Sequence, residues 1–277
     1  MKKILLILLI IILVIGLSGL GIKFLRKPGV NKEINNTTSK TKVENVNQLS
    51  LEKRPYIVVE PKSETKPTDY GHWVTITIDK ASNYKSVEYD VEYQTGNLIQ
   101  GFMHRVDFSK EKLPVAKEGF FGSESKGKYK YDENVKSGSI LFKFFKDATN
   151  YDALKNYFNL QNMEQQKGFF TANDSKANLE IGANDLNTND YVVITSTLGL
   201  PASITGKALS EPYGFYTTRA VKLKNATLSI KSKEDLTKAK ILGWDGKQWQ
   251  EYKTSIKEET ASTVVNQFGT YILVSSE

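Results

Sequence analysis

The residues able to do chemistry in this 277-residue chain are scattered, and no set of them completes a catalytic constellation. Its two histidines, His72 and His104, lie 32 positions apart, which fits no local metal-ligand motif. Asp185-Leu186-Asn187-Thr188-Asn189-Asp190 places side-chain oxygens at alternating positions, as a calcium loop begins. However, Asp190 stands where the sharp turn requires Gly, and Ser196 replaces the bidentate Glu at the twelfth position. Calcium on Asp185, Asn187, Asn189 and Asp190 is the one cofactor the spacing offers; a linker rich in Asx turns is the alternative. Ser63–Lys66, Ser82–Lys85 and Ser123–Lys126 each spell S-x-x-K, but the Lys-Thr-Gly strand that accompanies a serine nucleophile is missing. Glu88, Asp90 and Glu92 fall on one strand face, neighbours about 7 Å apart. Glycosidases use carboxylates at comparable separation, and a solvated strand face uses them too. No residue earns a catalytic assignment, and the expectation is a protein that is not an enzyme.

Aromatic residues offer recognition instead. Trp244 and Trp249 flank an Asp245-Gly246 turn. Their odd spacing puts them on opposite strand faces, one in the core and one free to stack on a sugar ring. Tyr129 and Tyr131 alternate with Lys126, Lys128 and Lys130, a basic-aromatic patch suited to an acidic polymer or a protein partner. These four aromatic side chains are the ligand or partner candidates.

The elements that must position them are strands. Val74–Asp79 and Ser86–Gln94 alternate apolar and polar residues, and the second places Val87, Tyr89, Val91 and Tyr93 on one face. Leu98–Val106 and Ile140–Phe145 read as further strands, with the excursion 119–138 between them too long for a tight hairpin. One short helix is expected after Asn150 or Asp152, carrying Leu154, Tyr157 and Phe158 on one side. Tyr191–Ile194 and Ala226–Lys231 follow as strands. Ala239–Trp244 and Lys247–Tyr252 read as a hairpin on a two-residue type I′ turn, and Ser262–Asn266 and Gly269–Ser275 complete the set.

Ahead of the strands, Ile4–Ile22 is a run of 19 residues free of charge, about 28 Å long as a helix and close to a bilayer core in thickness. Lys2 and Lys3 precede it; Lys23, Arg26 and Lys27 follow. Residues 1–27 therefore read as an uncleaved single-pass anchor, or a signal peptide cut near Ser18, with the C-terminal part outside the cell membrane. Residues 28–55 are polar and non-periodic, a disordered stalk. The net charge of +7 belongs to this region: residues 1–54 hold ten Lys/Arg against three acids, leaving 28 of each sign beyond. The remainder has no overall field to attract nucleic acid. Absence of cysteine excludes disulfides and thiolate chemistry.

Trp73 and the strands Val74–Tyr93 resemble the early strands of immunoglobulin-like and fibronectin-III-like modules. Gly243-Trp244-Asp245-Gly246-Lys247-Gln248-Trp249 with Phe268-Gly269-Thr270-Tyr271 is similar to the ends of β-sandwich modules on bacterial surface proteins. The resemblance implies fold and location only. The expected fold is mainly β: anchor, stalk, one antiparallel sandwich over 56–186 and a second over 187–277. The expected function is a membrane-anchored extracytoplasmic binding or structural protein of the cell envelope. A carbohydrate- or wall-processing enzyme and an accessory subunit of an envelope complex are the alternatives.

Overall fold

The computed structural model describes residues 46–62, 70–219 and 221–276. The run Ile4–Ile22 and stalk residues 28–45 lie outside them. Among the described residues no helix is long and apolar enough to cross a membrane. The end of the expected stalk is folded: Asn47 N–H donates to Ala153 O at 2.9 Å, and its Oδ1 accepts from Lys155 N at 2.8 Å. A 3-10 turn follows at Leu51–Lys53. Arg54 then reaches Leu49 O at 2.9 Å and Glu211 at 2.8 Å.

The first nine strands are β1 (Tyr56–Pro61), β2 (Trp73–Asp79), β3 (Ser86–Thr95), β4 (Leu98–Asp107), β5 (Val115–Phe120), β6 (Gly122–Ser125), β7 (Lys128–Tyr131), β8 (Ser137–Phe145) and β9 (Tyr151–Asn162). One helical turn, α1 (Met163–Gln166), is capped by Asn162 Oδ1, which accepts from Glu164 N and Gln165 N. After it come β10 (Phe169–Thr171), β11 (Ala177–Glu180), β12 (Tyr191–Ser196), β13 (Tyr213–Thr217) and β14 (Ala226–Lys231). The last are β15 (Ala239–Trp244), β16 (Trp249–Tyr252), β17 (Ser255–Lys257), β18 (Thr260–Val265) and β19 (Gly269–Ser275). All pairing is antiparallel, so the mainly β expectation holds. A nine-stranded sheet runs β16-β15-β19-β13-β12-β9-β8-β3-β4; smaller sheets are β1-β2-β5, β10-β11-β14-β18-β17 and β6-β7.

The long sheet passes through the boundary expected at 186/187. Two apolar cores nevertheless form, one on each side of it. The inward residues of β1 and β2 (Ile57, Val59, Val74, Ile76, Ile78) close over Val87, Tyr89, Val91, Phe142, Phe144 and Leu160. The five-stranded sheet (Leu179, Leu228, Ile230) closes over Val192, Ile194, Phe215, Tyr271 and Leu273. Successive residues of a strand point to opposite faces. Val193 belongs to the first core and Val192 and Ile194 to the second, so the two cores lie on opposite faces and β12 is the wall between them. This is why Tyr191-Val192-Val193-Ile194 is apolar without alternation: both its faces are buried.

Three local expectations are corrected. The helix expected after Asn150 is β9. Its buried residues Leu154, Asn156, Phe158 and Leu160 recur every second position, and Tyr157 lies exposed on the other face. Asp147 Oδ1, which accepts from Thr149 N and Asn150 N at 2.9 Å each, makes the turn before it. The excursion 119–138 contains the hairpin β6-β7. The turn after Trp244 spans four residues instead of two: Asp245 Oδ1 accepts from Lys247 N and Gln248 N at 2.8 Å each. Register then pairs Trp244 directly with Trp249.

Candidate functional site

The site grows from the alternation of β1. Ile57 and Val59 point into the first core, which turns Tyr56 and Glu60 outward, toward the part of the long sheet that the three-stranded sheet leaves uncovered. There Tyr56 Oη meets Thr270 Oγ1 of β19 at 2.8 Å, and Tyr216 Oη of β13 meets the same oxygen at 2.7 Å. The two phenol oxygens are 3.5 Å apart. Burial raises the pKa of both tyrosines, so the cluster stays protonated at neutral pH.

Around this floor lies a groove of about 900 Å³. Glu60 and Thr75, register partners on the outer face of β1-β2, form one wall. Trp244, Gln267, Phe268, Arg219 and Lys222 also line the groove. Glu60 is half-buried, and removal from water raises its pKa. It has no ion-pair partner among the described residues. Lys62, two positions on, bonds Glu118 at 2.8 Å and lies 4.7 Å over the Trp73 ring. Asp245 also borders the groove, but its oxygens hold its own turn and Gln250 Nε2.

The two candidate tryptophans share a face, with ring centroids 5.4 Å apart and edge to face. Loop length set their register, so counting along one strand misplaced them. They differ in use. Trp249 donates to Ala202 O at 3.1 Å and packs on Leu242, Ile272 and Val274. Trp244 lines the groove, and its indole N–H has no acceptor among the described residues.

Tyr129 and Tyr131 sit on β7, and their rings lean onto the outer face of the three-stranded sheet. Tyr129 packs edge-on against Trp73 and Phe120, at 5.5 and 5.2 Å; Tyr131 stacks on His72 at 4.6 Å and accepts from Trp73 Nε1 at 3.1 Å. Lys128 and Lys130 alternate onto the opposite face of this hairpin, so the basic and aromatic halves of the patch are separated.

Asp185, Asn187, Asn189 and Asp190 stand in the loop before β12. Asp185 Oδ2 accepts from Gly182 N at 3.1 Å and Lys224 N at 3.3 Å. Asp190, buried, accepts from Asn187 N at 2.8 Å and forms a close ion pair with Arg219. Asn187 and Asn189 are exposed. A guanidinium thus occupies the position a cation would take at Asp190. Among the described residues no three acidic, His or Cys side chains converge to hold a metal ion.

His104 bonds Glu118 O at 3.1 Å, and His72 has a buried Nδ1 without a partner among the described residues. Glu88 pairs with Arg105 at 2.8 Å on an open sheet face shared with Asp90 and Glu92. Ser82–Lys85 lies in the turn before β3 and Ser123–Lys126 in the β6-β7 hairpin; Ser63–Lys66 lies outside the described residues. Tyr56, Glu60, Tyr216 and Thr270, which build the groove, carried no signal in the sequence, since three distant segments supply them. Comparison with protein-family models and with curated proteins gives no match to this chain.

Proposed function

We propose that this chain is a membrane-anchored extracytoplasmic binding protein of the cell envelope, and that its groove holds a glycan. The observation that carries the reading is the groove's chemistry: one indole, Trp244, whose N–H has no acceptor among the described residues, beside a floor of hydroxyl groups from Tyr56, Tyr216 and Thr270. Aromatic faces with convergent polar groups suit a ring that is apolar on its faces and hydroxylated at its edge. The run Ile4–Ile22 with its basic flanks supports the anchor. Binding is favoured over hydrolysis because Glu60 faces no second free carboxylate in the groove; Asp245 is spent on its turn.

The test is titration of the full-length chain, in detergent, against envelope glycans and oligosaccharide arrays. Trp244→Ala weakens binding about tenfold, the loss of roughly 1.4 kcal/mol of stacking, while Met103→Ala on the exposed edge strand leaves it unchanged. Failure to bind any glycan, or equal affinity in Trp244→Ala, refutes the reading.

The accessory-subunit alternative has one observation behind it. Edge strand β4 exposes Leu98, Ile99 and Met103 at 62%, 77% and 73%, an unprotected sheet edge suited to a protein partner. Under that reading Ile99→Lys abolishes co-purification with a membrane complex and leaves the groove intact.

A further inference from the structure

We infer that the ligand of the groove carries a free ammonium group, seated between Glu60 and the face of Trp244, and that its class is a glycan with unacetylated amino sugars. This rests on the groove being a glycan site. A carboxylate withdrawn from water without a cation is costly to keep, and Glu60 is such a group. Among the described residues no cation that borders the groove forms an ion pair with Glu60. Lys62 is held by Glu118 and covers Trp73, and Arg219 is held by Asp190. Lys222, on the segment that follows β13, lines the groove and makes no ion pair with Glu60.

The hydroxyl floor points the same way. Tyr56, Tyr216 and Thr270 share three hydroxyl hydrogens among three oxygens, which leaves lone pairs that no hydrogen of the cluster can fill. The floor together with Glu60 is therefore rich in acceptors. An ammonium brings three donors and no acceptor, the complement of such a surface. Trp244 adds a ring face on which a cation is held by the aromatic quadrupole. A neutral acetamido group offers one N–H and an additional carbonyl oxygen, which would face Glu60 and the phenol oxygens with like polarity. The remaining lining, Thr75, Asn266 and Gln267, consists of hydroxyl and amide groups suited to sugar hydroxyls.

The experiment compares two matched probes on the full-length chain at pH 6, the tetramer of β-1,4-glucosamine and its fully N-acetylated counterpart. Isothermal titration is expected to give about tenfold tighter binding of the amine form. Glu60→Gln, shown to be folded by a melting transition no lower than that of wild type, is expected to remove that preference and to retain affinity for the acetylated form. Equal affinity for both probes in the wild type, with Trp244→Ala still weakening both, overturns the ammonium inference and leaves the groove a glycan site. A preference that survives in Glu60→Gln also overturns it, since the charge would then be read elsewhere. Binding of neither probe, with other glycans bound, overturns the inference alone. Binding of no glycan at all overturns both.

Discussion

The two cores should unfold as one, and Ile194→Ala tests this. Ile194 is fully buried in the second core, and its neighbour Val193 is fully buried in the first. Strand β12 is laddered through five residues to β9 and through five to β13. Losing either core would open an apolar face of the strand that the other core needs. Truncating a buried Ile to Ala costs about 3 kcal/mol, of which part is the cavity left behind. For a folded unit of this size each kcal/mol lowers the melting temperature by about 2–4 °C, so a drop of about 6–12 °C is expected. Val193→Ala, on the other face, should cost about 2 kcal/mol and move the same transition. Differential scanning calorimetry should give one endotherm in every variant, with calorimetric and van't Hoff enthalpies equal. Two endotherms, with one left at the wild-type temperature in Ile194→Ala, would show that the cores melt separately and that β12 does not couple them.

Four further outcomes are expected. Asp190→Asn breaks the ion pair with Arg219 and should lower stability by about 1–3 kcal/mol in chemical denaturation. Millimolar calcium should leave the wild-type melting temperature unchanged, and a rise would restore the loop 185–190 as a cation site. Removal from water raises the pKa of Glu60, so folding favours its neutral form. That contribution is present below the ordinary carboxylate range of about pH 4 and is lost as pH rises through the raised value. Glu60→Gln should therefore be more stable than wild type at pH 7, with the gap closing near pH 4; the opposite order would reveal a cation beside Glu60. Burial likewise raises Tyr56, Tyr213, Tyr216 and Tyr271. Their contribution is complete below about pH 10, the unfolded value, and falls as pH climbs toward the folded ones. Absorbance at 295 nm should show a late group of tyrosines that ionises only as the chain unfolds; one smooth titration of all 14 tyrosines would refute the burial.

Much of the strand content could be read from alternation. The spacing of Val87, Tyr89, Val91 and Tyr93 leads directly to a strand with one buried face, which β3 is. In β9 the pairing of Leu154 with Phe158 at helical spacing concealed a period of two, because the buried polar Asn156 sits between them. It is tolerated there because its amide donates to Thr195 Oγ1 and Ser196 O, at 2.8 and 2.7 Å. Trp244 and Trp249 were legible as aromatic candidates, but their common face depended on a side chain, Asp245, that lengthened the turn. Of the groove, only Trp244 could be read. Glu60 looks like any outward residue of a strand, and its partial removal from water arises only when distant segments come together to line the groove.

The bridge between Tyr56 and Leu198 sets an order in time. A chain delivered from its N-terminus completes β3, β4, β8 and β9 from near neighbours as they emerge. Strand β1 appears before all of them, yet its Ile57 N–H bonds Thr197 O at 2.9 Å, an acceptor synthesised much later. At the usual pace of translation that interval is on the order of ten seconds. Through it Ile57 and Val59 lack the backbone partner that fixes their strand to the sheet. Strand β19, which fills the place between β13 and β15, follows both in the sequence. The second core thus closes only after β19 is delivered, and the first waits for β12.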